Sequence, residues 1–156
     1  MIVNSVSELI KIVKNLKYSE NDIGITSGCF DLLHSTQINY LNRCKQLCEF
    51  LIVLIDSNEL IQKHKSKYPI INEIDRTYCV SNLKCVDITC IISSIEDYKK
   101  VINAFKSSKT FKNESKIYNT DIISTNNLVI IKDIQRLSST SEIIQYVQNI
   151  NNIPQR

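Results

Sequence analysis

The stretch "DIGITSGCFDLLHSTQINYL", residues 22–41, decides the fold, because a predicted strand runs through a short turn into a predicted helix. Residues 22–27 are predicted to form a short buried strand that ends at Gly28. From Ser35 onward, apolar residues recur at helical spacing. An acid, Asp31, and a histidine, His34, lie at the junction, so this turn is also the first candidate for a functional site.

The same alternation of strands and helices continues along the chain. The unbroken apolar run "FLIVLID", residues 50–56, is typical of a parallel strand that is covered on both faces. Further strands are predicted over 86–93 and 127–133. Helices are predicted over 4–18, 35–48, 73–85, 95–107 and 138–150. Residues 57–67 indicate a loop with a short helix, and the polar residues 108–127 indicate no particular element.

This order of elements predicts the α/β class. We expect a Rossmann-like, doubly wound parallel sheet of about five strands with helices on both faces. Ligands of such sheets bind outside the carboxyl ends of the strands. The turn after residues 22–27 should therefore face a ligand if that strand is central.

Length and charge narrow the possible functions. The 156 residues contain no repeat or linker, so residues 1–156 are predicted to form a single domain. The net charge of +3 fits an anionic ligand such as a nucleotide. The densest basic run, residues 63–67, lacks interleaved aromatics, so no nucleic-acid partner is predicted. No apolar run approaches the roughly 20 residues of a membrane span, so no membrane association is expected.

The six cysteines indicate reduced thiols rather than a metal site or disulfides. They form no Cys-x-x-Cys pair and show no zinc-finger spacing with histidine. No signal segment opens the sequence. We therefore expect a cytoplasmic protein without protein-held metal.

Elementary chemistry makes the turn a phosphate-binding candidate. The free amides at a helix start attract phosphate, and a histidine adds a further donor. Gln37, three residues after His34, can project to the same side of the first helical turn. The two common glycine-rich phosphate loops are excluded, because Gly24 and Gly28 are the only glycines.

The motif resembles a known signature. "SGCFDLLHSTQINYL" is similar to G-[ST/C]-F-D-x-x-H-x-G-H of the HxGH-type, cytidylyltransferase-like nucleotidyltransferase superfamily. Later segments resemble the same superfamily, namely "LIVLIDSN", "YPIINEIDR" and "SSTSEII". The subgroup with the greatest resemblance is the adenylyltransferase domain of ADP-heptose synthases. Residues 108–127 depart from that subgroup, which carries a Lys-Gly-Gly-Asp-like stretch there.

The resemblance implies an activity. A nucleoside triphosphate, ATP in the nearer subgroup, would bind with Mg²⁺ and transfer its nucleoside monophosphate to a small phosphorylated sugar or polyol. Pyrophosphate would be released. A glycerol-3-phosphate cytidylyltransferase is the neighbouring alternative. Similar enzymes are often homodimers, so a homodimer is a possible assembly.

The resemblance also implies site residues. Four would act on the phosphates, namely His34, Gln37, Lys65 and Arg76. Nine would bind the nucleotide or shape its loop, namely Gly28, Cys29, Phe30, Asp31, Asp56, Lys63, Ser139, Thr140 and Ser141. Asp31 would hold the loop together, and Cys29 would be small packing. Plain structural roles stay open for the others, including a solvated lysine loop, a surface ion pair of Arg76, a polar strand end and a helix cap.

One departure leaves two functional hypotheses open. The signature His-x-Gly-His reads His34-Ser35-Thr36-Gln37 in this chain, and glutamine cannot carry the charge of a protonated histidine. The chain is therefore either a working nucleotidyltransferase or a catalytically weakened protein that binds nucleotide or serves as an interaction module. A third hypothesis, nucleic-acid binding, rests only on the mild positive charge.

Overall fold

The structure, a computed structural model, describes residues 1–114, 127–132 and 139–150. Its strands are β1 (Ile2–Val3), β2 (Ile23–Gly28), β3 (Phe50–Asp56), β4 (Ile88–Ile92), β5 (Lys109–Asn113) and β6 (Leu128–Ile131). Its helices are α1 (Val6–Asn15), α2 (Ser35–Gln46), α3 (Asn58–Lys65), α4 (Glu73–Ser81), α5 (Ile95–Ala104) and α6 (Thr140–Ile150). A single 3₁₀ turn, Glu20–Asp22, leads into β2.

The strands form one parallel sheet in the order β1-β4-β3-β2-β5-β6. The chain runs from β2 outward to β3 and β4, and then crosses back to β5 on the other side of β2. The direction of winding therefore reverses at β2. A crevice opens at such a reversal, outside the carboxyl ends of the strands, and this is where Gly28 lies.

The sheet is covered on both faces. On one face, α1 and α5 bury residues such as Leu9 and Val101 against strand residues that include Ile25 and Leu54. On the other face, α2 and α4 bury residues such as Leu41 and Val80. All seven residues of β3 but the last are buried, as expected for a strand between two helical layers.

The starts of α1, α3, α4 and α5 are set by polar caps. The side chains of Ser5, Ser57, Asn72 and Ser94 each accept a hydrogen bond from a backbone N–H in the first turn of the helix that follows. These side chains satisfy amides that have no partner within the helix. The caps fix where α1, α3, α4 and α5 begin.

The predicted α/β class with a parallel, doubly wound sheet is confirmed. The run 50–56 is β3 at the predicted bounds, whereas the helix predicted over 73–85 ends earlier, at Ser81. The sheet has six strands within the described residues, where about five were predicted. The strands β1 and β5 had no predicted counterpart. Residues 115–126, 133 and 138, which earlier predictions include, lie outside the described residues, and the single-domain prediction over 1–156 stays a prediction.

All six cysteines are free, as expected for reduced thiols. Burial raises the pKa of Cys44 to about 12 and that of Cys90 to about 11. Both thiols therefore stay protonated near neutral pH. They act as small apolar residues of the two cores.

Asp87, just before β4, ties the start of β3 to α2. Its carboxylate accepts a hydrogen bond from the backbone N–H of Leu51 at 2.6 Å and forms an ion pair with Lys45 at 2.5 Å. Both charged side chains are more than a quarter exposed, so the ion pair itself should contribute little. The amide of Leu51 is a different case, because this residue is fully buried.

We therefore expect Asp87→Ala to lower the free energy of unfolding by about 1–3 kcal/mol, because a buried amide loses its acceptor. The matched variant Lys45→Met leaves the Leu51 amide bond intact. It removes the ion pair and an exposed hydrogen bond to the backbone oxygen of Glu49, and it should cost about 1 kcal/mol or less. Urea unfolding followed by circular dichroism measures both. Equal losses in the two variants would show that the ion pair, and not the amide bond, carries the contribution of Asp87.

Candidate active site

A cavity of about 570 Å³ lies at the carboxyl end of β2. Four parts of the chain line it. They are the segment from Ser27 to Tyr40, the segment from Ile61 in α3 to Pro69, the end of β5 at Lys112 and Asn113, and the start of α6 between Ser139 and Glu142. The cavity therefore coincides with the crevice expected from the sheet order.

The turn after β2 has an unusual backbone. Phe30 and Leu32 have φ values of 50° and 45°, in the left-handed region that non-glycine residues rarely adopt. The residue between them, Asp31, anchors the turn. Its carboxylate accepts hydrogen bonds from the backbone N–H groups of Ile70 at 2.9 Å and Ile71 at 3.0 Å. Asp31 thus holds the turn against the α3–α4 connection and offsets the cost of its backbone conformation.

His34 precedes α2 and Gln37 lies in its first turn. The side-chain oxygen of Gln37 accepts a hydrogen bond from the backbone N–H of His34 at 3.2 Å. The side-chain nitrogen of Gln37 lies 3.5 Å from the backbone oxygen of Asp31, at the long limit for a hydrogen bond. Both ends of the Gln37 amide are therefore directed at the turn itself, although the residue still lines the cavity.

A second helix start, that of α6, faces the same turn. The Thr140 hydroxyl donates a hydrogen bond to the backbone oxygen of Asp31 at 2.9 Å. The Ser139 hydroxyl accepts one from the backbone N–H of Glu142 at 3.2 Å, as a helix cap does. Two helix starts thus converge on one cavity, which is an arrangement suited to phosphate.

Arg76 differs most from its expected place. The resemblance implies a contact with phosphate, but the side chain is only 1% exposed and is absent from the cavity lining. It donates to the backbone oxygens of Ile71 at 2.9 Å and Asp56 at 2.8 Å, and also to that of Cys29. A fourth bond reaches the side-chain oxygen of Asn58 at 2.9 Å. The structure therefore gives Arg76 a positioning role between the ends of β2 and β3.

Other expected residues divide into two groups. The cavity is lined by ten of them, namely Gly28, Cys29, Phe30, Asp31, His34, Gln37, Lys65, Ser139, Thr140 and Ser141. Asp56 and Lys63 do not line it. Asp56 ends β3, where its backbone oxygen is bound by Arg76, and Lys63 is an exposed residue of α3.

Several lining residues were missed by sequence reasoning. Lys112 and Asn113 belong to β5, a strand whose polar sequence gave no clear signal. Tyr40 lies on α2, and its hydroxyl is 2.7 Å from the hydroxyl of Thr26 in β2. Helical spacing places Tyr40 one turn after Thr36 and Gln37, so this signal was available in the sequence.

The cavity is rich in positive charge. Lys65, Lys67 and Lys112 line it together with His34, whereas its acidic lining residues are Asp31 and Glu142. Burial raises the pKa of the Cys29 thiol, and the nearby Lys65 and Arg76 only partly oppose this. Cys29 is therefore protonated near neutral pH, which is unfavourable for a nucleophile.

No group of three or more His, Cys, Asp or Glu side chains that could hold a metal ion occurs within residues 1–114, 127–132 and 139–150. Magnesium in nucleotide sites is commonly held through the phosphates of the substrate and a few waters. The donor set of this cavity, cations and amides, fits the phosphates rather than the metal.

Comparison with known proteins identifies the family. Residues 25–154 match the cytidylyltransferase-like family. The chain belongs to this family. The match confirms the nucleotidyltransferase superfamily that the motif predicted.

Curated relatives of this cytidylyltransferase-like chain are named bifunctional protein HldE. The protein from Helicobacter pylori (strain HPAG1) is 31% identical over 148 residues, which are 92% of this chain and 31% of that protein. The protein from Desulfatibacillum aliphaticivorans is 31% identical over 149 residues, which are 91% of this chain and 30% of that protein. The chain thus spans about a third of the length of the curated relatives it matches.

Solved structures show the same fold. The lipopolysaccharide core biosynthesis protein from Thermoplasma volcanium GSS1 is 22% identical, with a TM-score of 0.61 over 73% of this chain and 97% of that chain. Pantoate-beta-alanine ligase from Francisella tularensis is 14% identical, with a TM-score of 0.61 over 98% of this chain and 78% of that chain. At these identities the likeness extends to the fold alone.

None of the helices within the described ranges is long and apolar enough to cross a membrane.

The buried position of Arg76 leads to a prediction. Arg76→Met should lower the free energy of unfolding by about 3 kcal/mol or more, because several buried carbonyl oxygens lose their donor at about 1–3 kcal/mol each. The matched variant Arg43→Met removes one bond, to the backbone oxygen of Lys132, and should cost about 1 kcal/mol. Urea unfolding measures both. A small and equal loss of unfolding free energy in the two variants would contradict the positioning role and favour a contact of Arg76 with the ligand.

Proposed function

We propose that this chain transfers a nucleoside monophosphate from a nucleoside triphosphate to a small phosphorylated sugar or polyol and releases pyrophosphate. One observation carries the proposal. In a cytidylyltransferase-like chain, the starts of α2 and α6 and the side chains of His34 and Lys65 meet in a single cavity at the carboxyl end of the central strand.

The reaction requires positioning rather than covalent catalysis. A phosphate oxygen of the acceptor forms a bond to the α-phosphorus, and the bond from that phosphorus to the α–β bridging oxygen breaks. The bonding electron pair leaves with pyrophosphate. The attacking oxygen belongs to a phosphate that is already ionised near neutral pH, so no base must remove a proton. Catalysis then rests on alignment and on stabilisation of charge on the phosphates.

The residues of the cavity have matching roles. His34 and the start of α2 would contact the triphosphate, and the start of α6 would contact it from the other side. Lys65 would neutralise phosphate charge from the end of α3. Asp31 and Arg76 would not touch substrate, because both are engaged in holding the turn.

Magnesium, the nucleotide and the acceptor are parts of the same proposal. The metal would enter with the triphosphate and supply charge neutralisation there. The resemblance of the motif to the adenylyltransferase domain of ADP-heptose synthases favours ATP and a sugar phosphate. CTP with glycerol 3-phosphate is the neighbouring pair to test. The homodimer and the cytoplasmic location stay predictions.

A second candidate function is nucleotide binding without turnover. It is favoured by one observation, the position of Gln37. The Gln37 oxygen accepts from the backbone N–H of His34, and the Gln37 nitrogen faces the backbone oxygen of Asp31. A substrate phosphate must therefore compete with the Asp31 oxygen for the Gln37 nitrogen. The side chain also brings no positive charge.

The test is pyrophosphate release from ATP or CTP, with magnesium and a panel of sugar and polyol phosphates. Turnover at roughly 1 s⁻¹ or more by the native protein would support the transferase and exclude the binding module. Nucleotide binding without release of pyrophosphate, with every acceptor, would support the second candidate instead.

Gln37→His is the informative variant. It adds a charged donor to the start of α2, where one preorganised donor is worth on the order of 10²–10³ in rate. We expect turnover to rise by about tenfold or more at pH 6 and by less at pH 8, because a histidine with a pKa near 6.5 loses its charge in between. Gln37→Asn is the control, since it adds no charge. A rise that is the same at both pH values would contradict this account of Gln37.

A further inference from the structure

One cation of the cavity, Lys112, lies on the sheet and outside the sequence motif. Lys112 lies near the end of β5, which pairs with β2, the strand that leads into the motif turn. Its neighbour Phe111 is fully buried in the core beside α2, so alternation along the strand turns Lys112 to the opposite face. Both β5 and the motif turn therefore contribute to one cavity wall.

The ammonium group of Lys112 is held in place. Its Nζ atom donates a hydrogen bond to the Ser27 hydroxyl at 3.3 Å, next to Gly28 at the end of β2. The same atom lies 5.2 Å from the centre of the Tyr98 ring, within the range of a cation–π interaction. The side chain is half-buried, whereas Lys65 and Lys67 are exposed residues at and beyond the end of α3. A held cation needs less reorganisation during reaction than a mobile one.

The surroundings of Lys112 contain polar atoms without partners. The Tyr98 hydroxyl and the Thr110 hydroxyl are buried and make no hydrogen bond within the described structure. Thr110 lies two residues before Lys112 and so on the same face of β5. Buried hydroxyls of this kind usually bind water or a ligand. Neither hydroxyl belongs to a residue that lines the cavity, whereas Lys112 does line it.

We propose that Lys112 supplies the positive charge that Gln37 does not, and that it touches the phosphates during transfer. The inference rests on the proposed function. When the bond to the α-phosphorus forms and the bridging bond breaks, negative charge shifts toward the leaving pyrophosphate. A cation fixed at the end of β2 stabilises that charge from the sheet. Lys112 is in this sense a catalytic residue, and it supplies from β5 the charge that position 37 of α2 lacks.

The proposal predicts energetic coupling between positions 37 and 112. Four proteins test it, namely the native chain, Lys112→Gln, Gln37→His, and the variant that combines both. Lys112→Gln should lower kcat/KM for the nucleotide by about 10²-fold, the scale of one preorganised charged donor. The combined variant should recover at least tenfold of this loss, because a protonated histidine at position 37 replaces the missing charge.

The pH dependence separates this role from a structural one. The recovery in the combined variant should be large at pH 6 and lost by pH 8, because histidine is charged only below its pKa of about 6.5. A Lys112 that merely supported β5 would not be rescued from position 37 at any pH. Lys109→Gln is the matched control, because Lys109 lies on the same strand but donates to the backbone oxygen of Leu47, away from the cavity.

A second readout keeps this inference distinct from the proposed function. Binding of ATP with magnesium is measured for the same proteins by calorimetry. If the native protein binds but does not turn over, the transferase proposal fails, and binding at least tenfold weaker in Lys112→Gln still supports the phosphate contact. If Lys112→Gln matches Lys109→Gln in both turnover and binding, or if Gln37→His gives no recovery, the inference is overturned.

Discussion

The hydrogen bonds of Arg76 are the interaction on which the site depends. A single buried guanidinium joins the ends of two neighbouring strands, through the backbone oxygens of Cys29 and Asp56, to the α3–α4 connection at Ile71. Carbonyl groups at strand ends have no ladder partner, and in the interior they need another donor. Arginine suits this task because its planar group offers five N–H donors in fixed directions.

The turn that lines the cavity after β2 is shaped by this interior support. Phe30 and Leu32 adopt left-handed backbone conformations that would be unfavourable in an isolated peptide. Asp31 and Arg76 hold the turn from two sides, and Thr140 adds a bond from the start of α6. The backbone of the turn is thus preorganised by contacts that face away from the cavity, and such preorganisation strengthens electrostatic interactions in a site.

The α/β architecture and the motif could be predicted from the sequence. The roles of residues could not be predicted where they depend on the direction of the side chain. The apolar run of β3 and the Gly28–His34 turn carry strong local signals. In β5, by contrast, only Thr110 and Phe111 are fully buried, so its sequence resembles a loop and Lys112 went unnoticed. An arginine that binds phosphate and one that binds carbonyl groups look the same in one dimension, and therefore Arg76 could be placed only by the structure.

The composition of the cavity wall also has a consequence for how the chain folds. Its wall combines residues near Ser27 with residues near Glu142, so it unites the early and late parts of the chain. Contacts between distant segments form only after long loops have closed, which is entropically slow. A nascent chain that has emerged only as far as β3 lacks both Arg76 and the β5 side of the wall. The complete cavity is consequently a property of the finished molecule, and ligand binding there would report on the integrity of the whole sheet.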